Sequence, residues 1–247
     1  MTHSVLVTGA NRGIGLTFCK HYLEEGCRVL ATCRNPDNAA ELHALQAHHK
    51  GKLTLHKLDI CSADSIMDFK QALNNMPVDL LINNAGIMST RGNFVDFTDQ
   101  LNNSPEVLQE ITQQWLTAFN TNTIGPIMFT LMLLPNLEKG SKKKVVMVSS
   151  QMGSITHHAQ DTSTSANVYR STKSALNSAT NCLAIALKPK EINLLLLHPG
   201  WVRTDMGGNQ ADIDVDTSVA GMAQVIATSQ PSKALQLLSY RGEVIPW

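Results

Sequence analysis

The chain has 247 residues, 43% of them apolar, with 20 basic residues balanced by 20 acidic ones, which is enough to bury one α/β domain over residues 1–247 and too little for two. Balanced charge offers no basic field to a nucleic-acid backbone, and no apolar run approaches the roughly 20 residues that cross a bilayer. Five cysteines without C-x-x-C spacing, behind an N-terminus that enters an apolar strand with no leader pattern, indicate neither a disulfide framework nor a zinc site and predict a soluble, cytoplasmic protein.

Strands are predicted at 4–8, 28–32, 52–58, 78–82, 144–149 and 191–197, with a weaker one at 235–239. Helices are predicted near 13–25, 37–48, 63–75, 105–137 with a break, 166–187 and 217–229. Apolar runs alternating with helical patterns indicate a Rossmann-like, doubly wound sheet of about seven parallel strands with helices on both faces. Gly26 stands where a helix ends in a left-handed cap, and Ser62 and Asp64 are available to cap the third helix. The segments from Ile87 to about Asn103 and from Gln151 to about Asn167 read as neither element. Both follow sheet strands at the carboxyl edge, where open α/β folds bind ligands, and are candidate walls of a substrate pocket. The Ile127–Leu134 run is more apolar than a helix with one exposed face requires, so it reads either as core or as a homodimer interface.

Between the first strand and the first helix stands Thr8-Gly9-Ala10-Asn11-Arg12-Gly13-Ile14-Gly15. Glycines there let the backbone approach a pyrophosphate, and the helix N-terminus supplies free N–H groups and a positive dipole end. An NAD-selective site usually places an acid after the second strand, but this chain reads Leu30-Ala31-Thr32-Cys33-Arg34-Asn35. Arg34 and Arg12 are therefore expected to clamp a 2′-phosphate. At about 1.5–3 kcal/mol per charge-assisted contact, the two would favour NADPH over NADH by about two to four powers of ten.

Tyr169 and Lys173, four apart in a helical pattern, project from one face and set a cation beside a phenol. The expectation is that Lys173 and an oxidised nicotinamide lower the phenol pKa from its usual value of about 10 and fit it for proton transfer. The strand Val145-Val146-Met147-Val148-Ser149-Ser150 delivers a hydroxyl to the same edge, and strand alternation points Ser149 away from Ser150.

These motifs, in order, resemble the short-chain dehydrogenase/reductase family: T-G-x-x-x-G-x-G, Asp59 after the third strand, Asn83-Asn84-Ala85-Gly86 after the fourth, Asn122 in the middle helix, Ser150 after the fifth, Tyr169-x-x-x-Lys173, and Pro199-Gly200 after the sixth. The resemblance spans nearly the whole chain. It implies that Asn122, Ser150, Tyr169 and Lys173 are catalytic, with Ser150 bonding the substrate oxygen and Asn122 holding a water on the proton path. An asparagine bonding helix backbone at the Gly125-Pro126 irregularity is the structural alternative for Asn122. The resemblance also implies that Gly9, Asn11, Arg12, Gly13, Ile14, Gly15 and Arg34 hold NADP(H) with Tyr169 and Lys173, that Asp59 and Ile60 contact adenine, and that Asn84, Ala85 and Gly86 line the path beneath the cofactor. Pro199, Gly200 and Val202 would flank the nicotinamide, and Thr204 would hold its carboxamide; for Asp59, helix capping or plain solvation fits as well.

Tyr169 stands 19 positions after Ser150, a longer interval than the family usually has. That insertion, with His157, His158 and Asp161, is expected to shape the pocket rather than hold a metal. Within the family, Tyr169-Arg170-Ser171-Thr172-Lys173 and Pro199-Gly200-Trp201-Val202-Arg203-Thr204-Asp205 are similar to carbonyl reductases of the sniffer and C-factor group. A small carbonyl substrate, an aldehyde, ketone or quinone, follows from that similarity. A regulatory dinucleotide-binding protein with little turnover, and a dehydrogenase specific for a steroid, polyol or acyl substrate, remain as alternatives.

Overall fold

Val5 and Val7 pack on one side of their strand and Leu6 on the other; Val146 and Val148 alternate in the same way with Val145 and Met147. Strands that are apolar on both faces require helices above and below the sheet. The computed structural model, which describes residues 2–89, 94–101, 104–160, 165–230 and 234–247, has this arrangement. The chain runs β1 (Ser4–Thr8), α1 (Gly13–Glu24), β2 (Arg28–Cys33), α2 (Ala40–His48), β3 (Leu53–Lys57), α3 (Ala63–Leu73) and β4 (Leu80–Asn83). It continues through α4 (Phe94–Leu101), α5 (Pro105–Phe119), a π-helical turn (Asn120–Ile124), α6 (Gly125–Met132), α7 (Leu134–Lys139) and β5 (Lys144–Val148). A 3₁₀ turn (Gln151–Gly153), α8 (Ile155–Gln160), α9 (Asn167–Leu187), β6 (Asn193–His198), α10 (Val215–Thr228), β7 (Leu237–Ser239) and β8 (Val244–Ile245) follow.

The sheet order is β3-β2-β1-β4-β5-β6-β7-β8. The first seven strands in sequence are parallel, as expected, and β8 adds an antiparallel edge through Leu237 opposite Ile245. Two residues are too few to show a strand period, so β8 is visible only in the fold. Phe18, Leu23, Leu42 and Met222 cover one face; Phe69, Phe129, Leu176 and Leu183 cover the other. Strand order reverses between β1 and β4, which opens a crevice at their carboxyl ends.

Local chemistry explains where the boundaries move. Asn74 and Glu191 have φ of +51° and +57°, outside helix and strand, so α3 stops at Leu73 and β6 starts after the turn. Ser62 caps α3, its hydroxyl accepting from Ser65 N at 3.2 Å, and Gly26 takes the left-handed conformation at φ +82°. The two segments expected to lack regular structure contain α4 and α8. Phe94, in α4, stacks on Trp115 at 6.0 Å, a tertiary contact that steadies an eight-residue helix. In the Ile127–Leu134 run, Phe129 and Leu133 join the core, whereas Met128 and Leu131 are 46% and 39% exposed. Among the described residues no helix is long and apolar enough to cross a membrane.

Candidate active site

At the carboxyl end of β1 the backbone folds back on itself so tightly that a Cβ on Gly15 would lie 2.2 Å from the Gly9 carbonyl oxygen. The exit of β4 braces this loop: Asn84 Nδ2 donates to the Thr8 and Gly9 carbonyls at 3.0 and 3.2 Å, and Thr8 Oγ1 accepts from the amides of Asn84 and Ala85. Helix α1 then begins at an extended Arg12 with no side-chain cap and no acid in its first turn. Its N–H groups are thus left to an external anion.

A cavity of about 710 Å³ opens above this loop. Every residue expected to hold the dinucleotide borders it except Gly15, Gly200 and Val202. Those three stand behind the wall: Gly15 against Gly9, Gly200 against Ile213 and Tyr240, and Val202 bridged to Ile213. Arg12 Nη1 meets Asp205 Oδ2 at 2.5 Å, while Arg34 is exposed at the rim. Asp59 has a local task as well, accepting from Cys61 N at 2.9 Å at the start of α3. Ile87, at the start of an expected pocket wall, borders the cavity, and Glu41, Thr117, Thr121 and Asp205 border it without having been anticipated. The four-residue spacing of Thr117 and Thr121 was a readable sign of one helix face; nothing local marks the others.

Deeper in, Tyr169 and Lys173 are 8% and 4% exposed in the first turns of α9. Lys173 Nζ donates to the Val148 carbonyl at 2.9 Å and lies 5.6 Å from the centre of the Tyr169 ring. The Ser150 hydroxyl accepts from Met152 N at 3.1 Å, and its nearness to the Tyr169 phenol favours the phenolate. The Ser149 hydroxyl donates to Asn177 Oδ1 at 2.5 Å, although Ser149 itself borders the cavity. The 3₁₀ turn after Ser150 is clamped to α9, since Ser174 Oγ and Asn177 Nδ2 both donate to the Gly153 carbonyl. That clamp holds the two hydroxyls together. Asn122 is wholly buried in the π-helical turn: Nδ2 donates to Ile87 O and Thr172 Oγ1 at 2.8 and 3.0 Å, and Oδ1 accepts from Ile87 N at 2.8 Å. Its side chain ties the β4 exit to α9. Neither Asn122 nor Ser150 lines the cavity itself.

Burial pushes the Tyr169 phenol up to about 12, with the nearby Ser150 hydroxyl acting the other way. The lowering expected from sequence is therefore reversed in the protein alone, because desolvation disfavours the phenolate more than its neighbours favour it. Burial brings the Lys173 ammonium down to about 8. His198 is brought down to about 4 by burial, with His157 adding to the shift. Among the described residues no group of three or more His, Cys, Asp or Glu side chains could hold a metal; Asp161 lies outside those residues.

A family model described as short chain dehydrogenase matches residues 3–214. C-signal of Myxococcus xanthus is 37% identical over 174 residues, covering 69% of this chain and 93% of that protein. The solved NADPH-bound carbonyl reductase from chicken fatty liver is 34% identical with a TM-score of 0.85, over 100% of this chain and 99% of that one. Carbonyl reductase Sniffer of D. melanogaster is 31% identical with a TM-score of 0.85 over 100% of both chains.

Proposed function

The chain belongs to the short chain dehydrogenase family, and from that premise we propose that it reduces small aldehydes, ketones or quinones with NADPH, as one dinucleotide-binding and catalytic domain over residues 1–247. The observation that carries this reading is that Tyr169 and Lys173 border the same cavity as the uncapped N-terminus of α1, with Ser150 buried just behind the phenol. Bound there, the dinucleotide supplies the hydride. Gly9, Gly13 and the amides of the α1 N-terminus would hold its pyrophosphate, with Arg12 and Arg34 at the 2′-phosphate. The solved carbonyl reductase from chicken fatty liver, named as NADPH-bound, supports that cofactor.

Ser150 would donate a hydrogen bond to the substrate carbonyl oxygen and orient it toward Tyr169. Burial keeps the phenol protonated below about pH 12, so Tyr169 has a proton to give to that oxygen as negative charge develops on it. Lys173, still charged at neutral pH, would stabilise the phenolate left behind, and its ammonium would return a proton to the phenol and be reprotonated from solvent through the cavity that it borders. Ile87, Met206 and Pro199 add apolar surface to the cavity wall, which suits carbonyl compounds without charge. Five free cysteines accord with a reducing, cytoplasmic setting. Exposed Met128 and Leu131 support a homodimer; a sedimentation profile that stays monomeric at high concentration removes that part of the reading.

The test follows nicotinamide absorbance for wild type and Tyr169→Phe with NADPH, NADH and a panel of quinones, aldehydes and ketones. The expected result is NADPH-dependent turnover that falls about 10²–10⁴-fold in the variant. The match to C-signal favours a second reading, a regulatory dinucleotide-binding protein. Tight NADPH binding without turnover on any carbonyl would put that reading first.

A further inference from the structure

Arg12 stands on the glycine loop, and the acid that pairs with it, Asp205, stands 193 residues later on the connection between β6 and α10. That connection lies directly over the loop: a Cβ on Gly13 would stand 3.4 Å from Thr204 Cγ2. Its own shape is held from within. Gly208 N donates to Thr204 O at 2.8 Å, Gly207 N to Thr204 Oγ1 at 3.1 Å, and Arg203 to the Ala211 carbonyl at 3.0 Å. Asp205 is therefore presented by a rigid turn and plays no part in building it through those bonds. Both Arg12 and Asp205 border the cavity, and their side chains are 68% and 76% exposed.

We propose that Asp205 is a specificity-determining residue that weakens the cavity's preference for a dinucleotide carrying a 2′-phosphate by competing for the Arg12 guanidinium. The inference rests on the NADPH reading above. Arg12 and Arg34 are the cations that reading assigns to the phosphate, and Asp205 and Glu41 border the same cavity with opposite charge. An ion pair this exposed is weakly held, so a phosphate displaces the carboxylate and Arg12 changes partner. While the phosphate is bound, the carboxylate remains on its rigid turn as a nearby like charge. An unphosphorylated ribose neither gains from Arg12 in this way nor is repelled. Asp205 thus acts on one dinucleotide and spares the other.

The experiment is a fluorescence titration of NADPH and NADH into wild type, Asp205→Asn, Arg12→Ala and the double variant, at low and high salt. The expected result is that Asp205→Asn tightens NADPH by about two- to fivefold and leaves NADH within about twofold. The gain should vanish in the Arg12→Ala background and shrink at high salt. Unchanged or weaker NADPH binding in Asp205→Asn, or equal tightening of NADH, overturns the proposal. Equal affinity of the wild type for the two dinucleotides overturns the NADPH reading instead, a result read from the wild type alone.

Discussion

A lysine whose ammonium is buried against the Val148 carbonyl is held at about 8 because water no longer solvates its charge. If that charge stabilises the Tyr169 phenolate as proton transfer proceeds, activity must fall as pH rises through about 8, where the ammonium is lost. The pH profile of kcat/KM for carbonyl reduction is expected to show an alkaline limb there, and Lys173→Met is expected to lower the rate by about 10²-fold and abolish the limb. A limb unchanged in the variant would assign it to another group. His198 makes a second prediction. Its imidazole is 7% exposed, its Nδ1 has no hydrogen-bond partner among the described residues, and its pKa is brought down to about 4. Between 6.5 and about 4 the unfolded chain binds the proton more tightly than the folded one. Stability is therefore flat above pH 6.5 and lost as pH falls toward 4, by about 3 kcal/mol in all. Urea midpoints measured across that window should flatten in His198→Asn.

Helix α9 and the 3₁₀ turn at Gln151–Gly153 work as a pair, because the turn sets Ser150 against a phenol that α9 carries. A Cβ at Gly153 would lie 2.7 Å from the Lys173 carbonyl carbon, so Gly153→Ala must push turn and helix apart. The expected outcome is a fall in kcat of about 10²-fold, the scale that a 1 Å misplacement produces, with NADPH affinity unchanged in titration. A loss of affinity equal to the loss of kcat would show that the turn supports the cavity as a whole. The same element scale explains what was legible beforehand. Long periodic segments such as α9 and the buried strands β1 and β5 declare themselves by the spacing of their apolar residues. The helices α4 and α8, with eight and six residues, are too short to show a period. Phe94 is held by Trp115 rather than by local propensity.

Asp79 joins distant parts of the molecule. It stands directly before β4, and its carboxylate accepts from Ser4 N, at the start of β1, at 2.7 Å and from Ser141 N and Oγ, just after α7, at 2.6 and 2.8 Å. Desolvation alone would raise its pKa, but these donors hold it down to about 2. The stabilisation is present above pH 3.8 and lost as pH falls through about 2, and the shift corresponds to about 2 kcal/mol. Asp79→Asn is expected to lower the unfolding free energy by about that amount at pH 7, with the difference from wild type narrowing in acid; a constant difference at every pH would mean that packing, not charge, is lost. By itself the amino-acid sequence determined the parallel sheet, the glycine loop and the grouping of Ser150, Tyr169 and Lys173 at one edge, because strand period, helix spacing and turn chemistry are local properties. Only the tertiary structure decided that Arg12 meets Asp205 across 193 residues, that Gly15, Gly200 and Val202 stand behind the cavity wall, and that burial raises the Tyr169 phenol in the protein alone. Ion pairing and desolvation depend on which distant segments the fold brings together, and no local pattern carries that information.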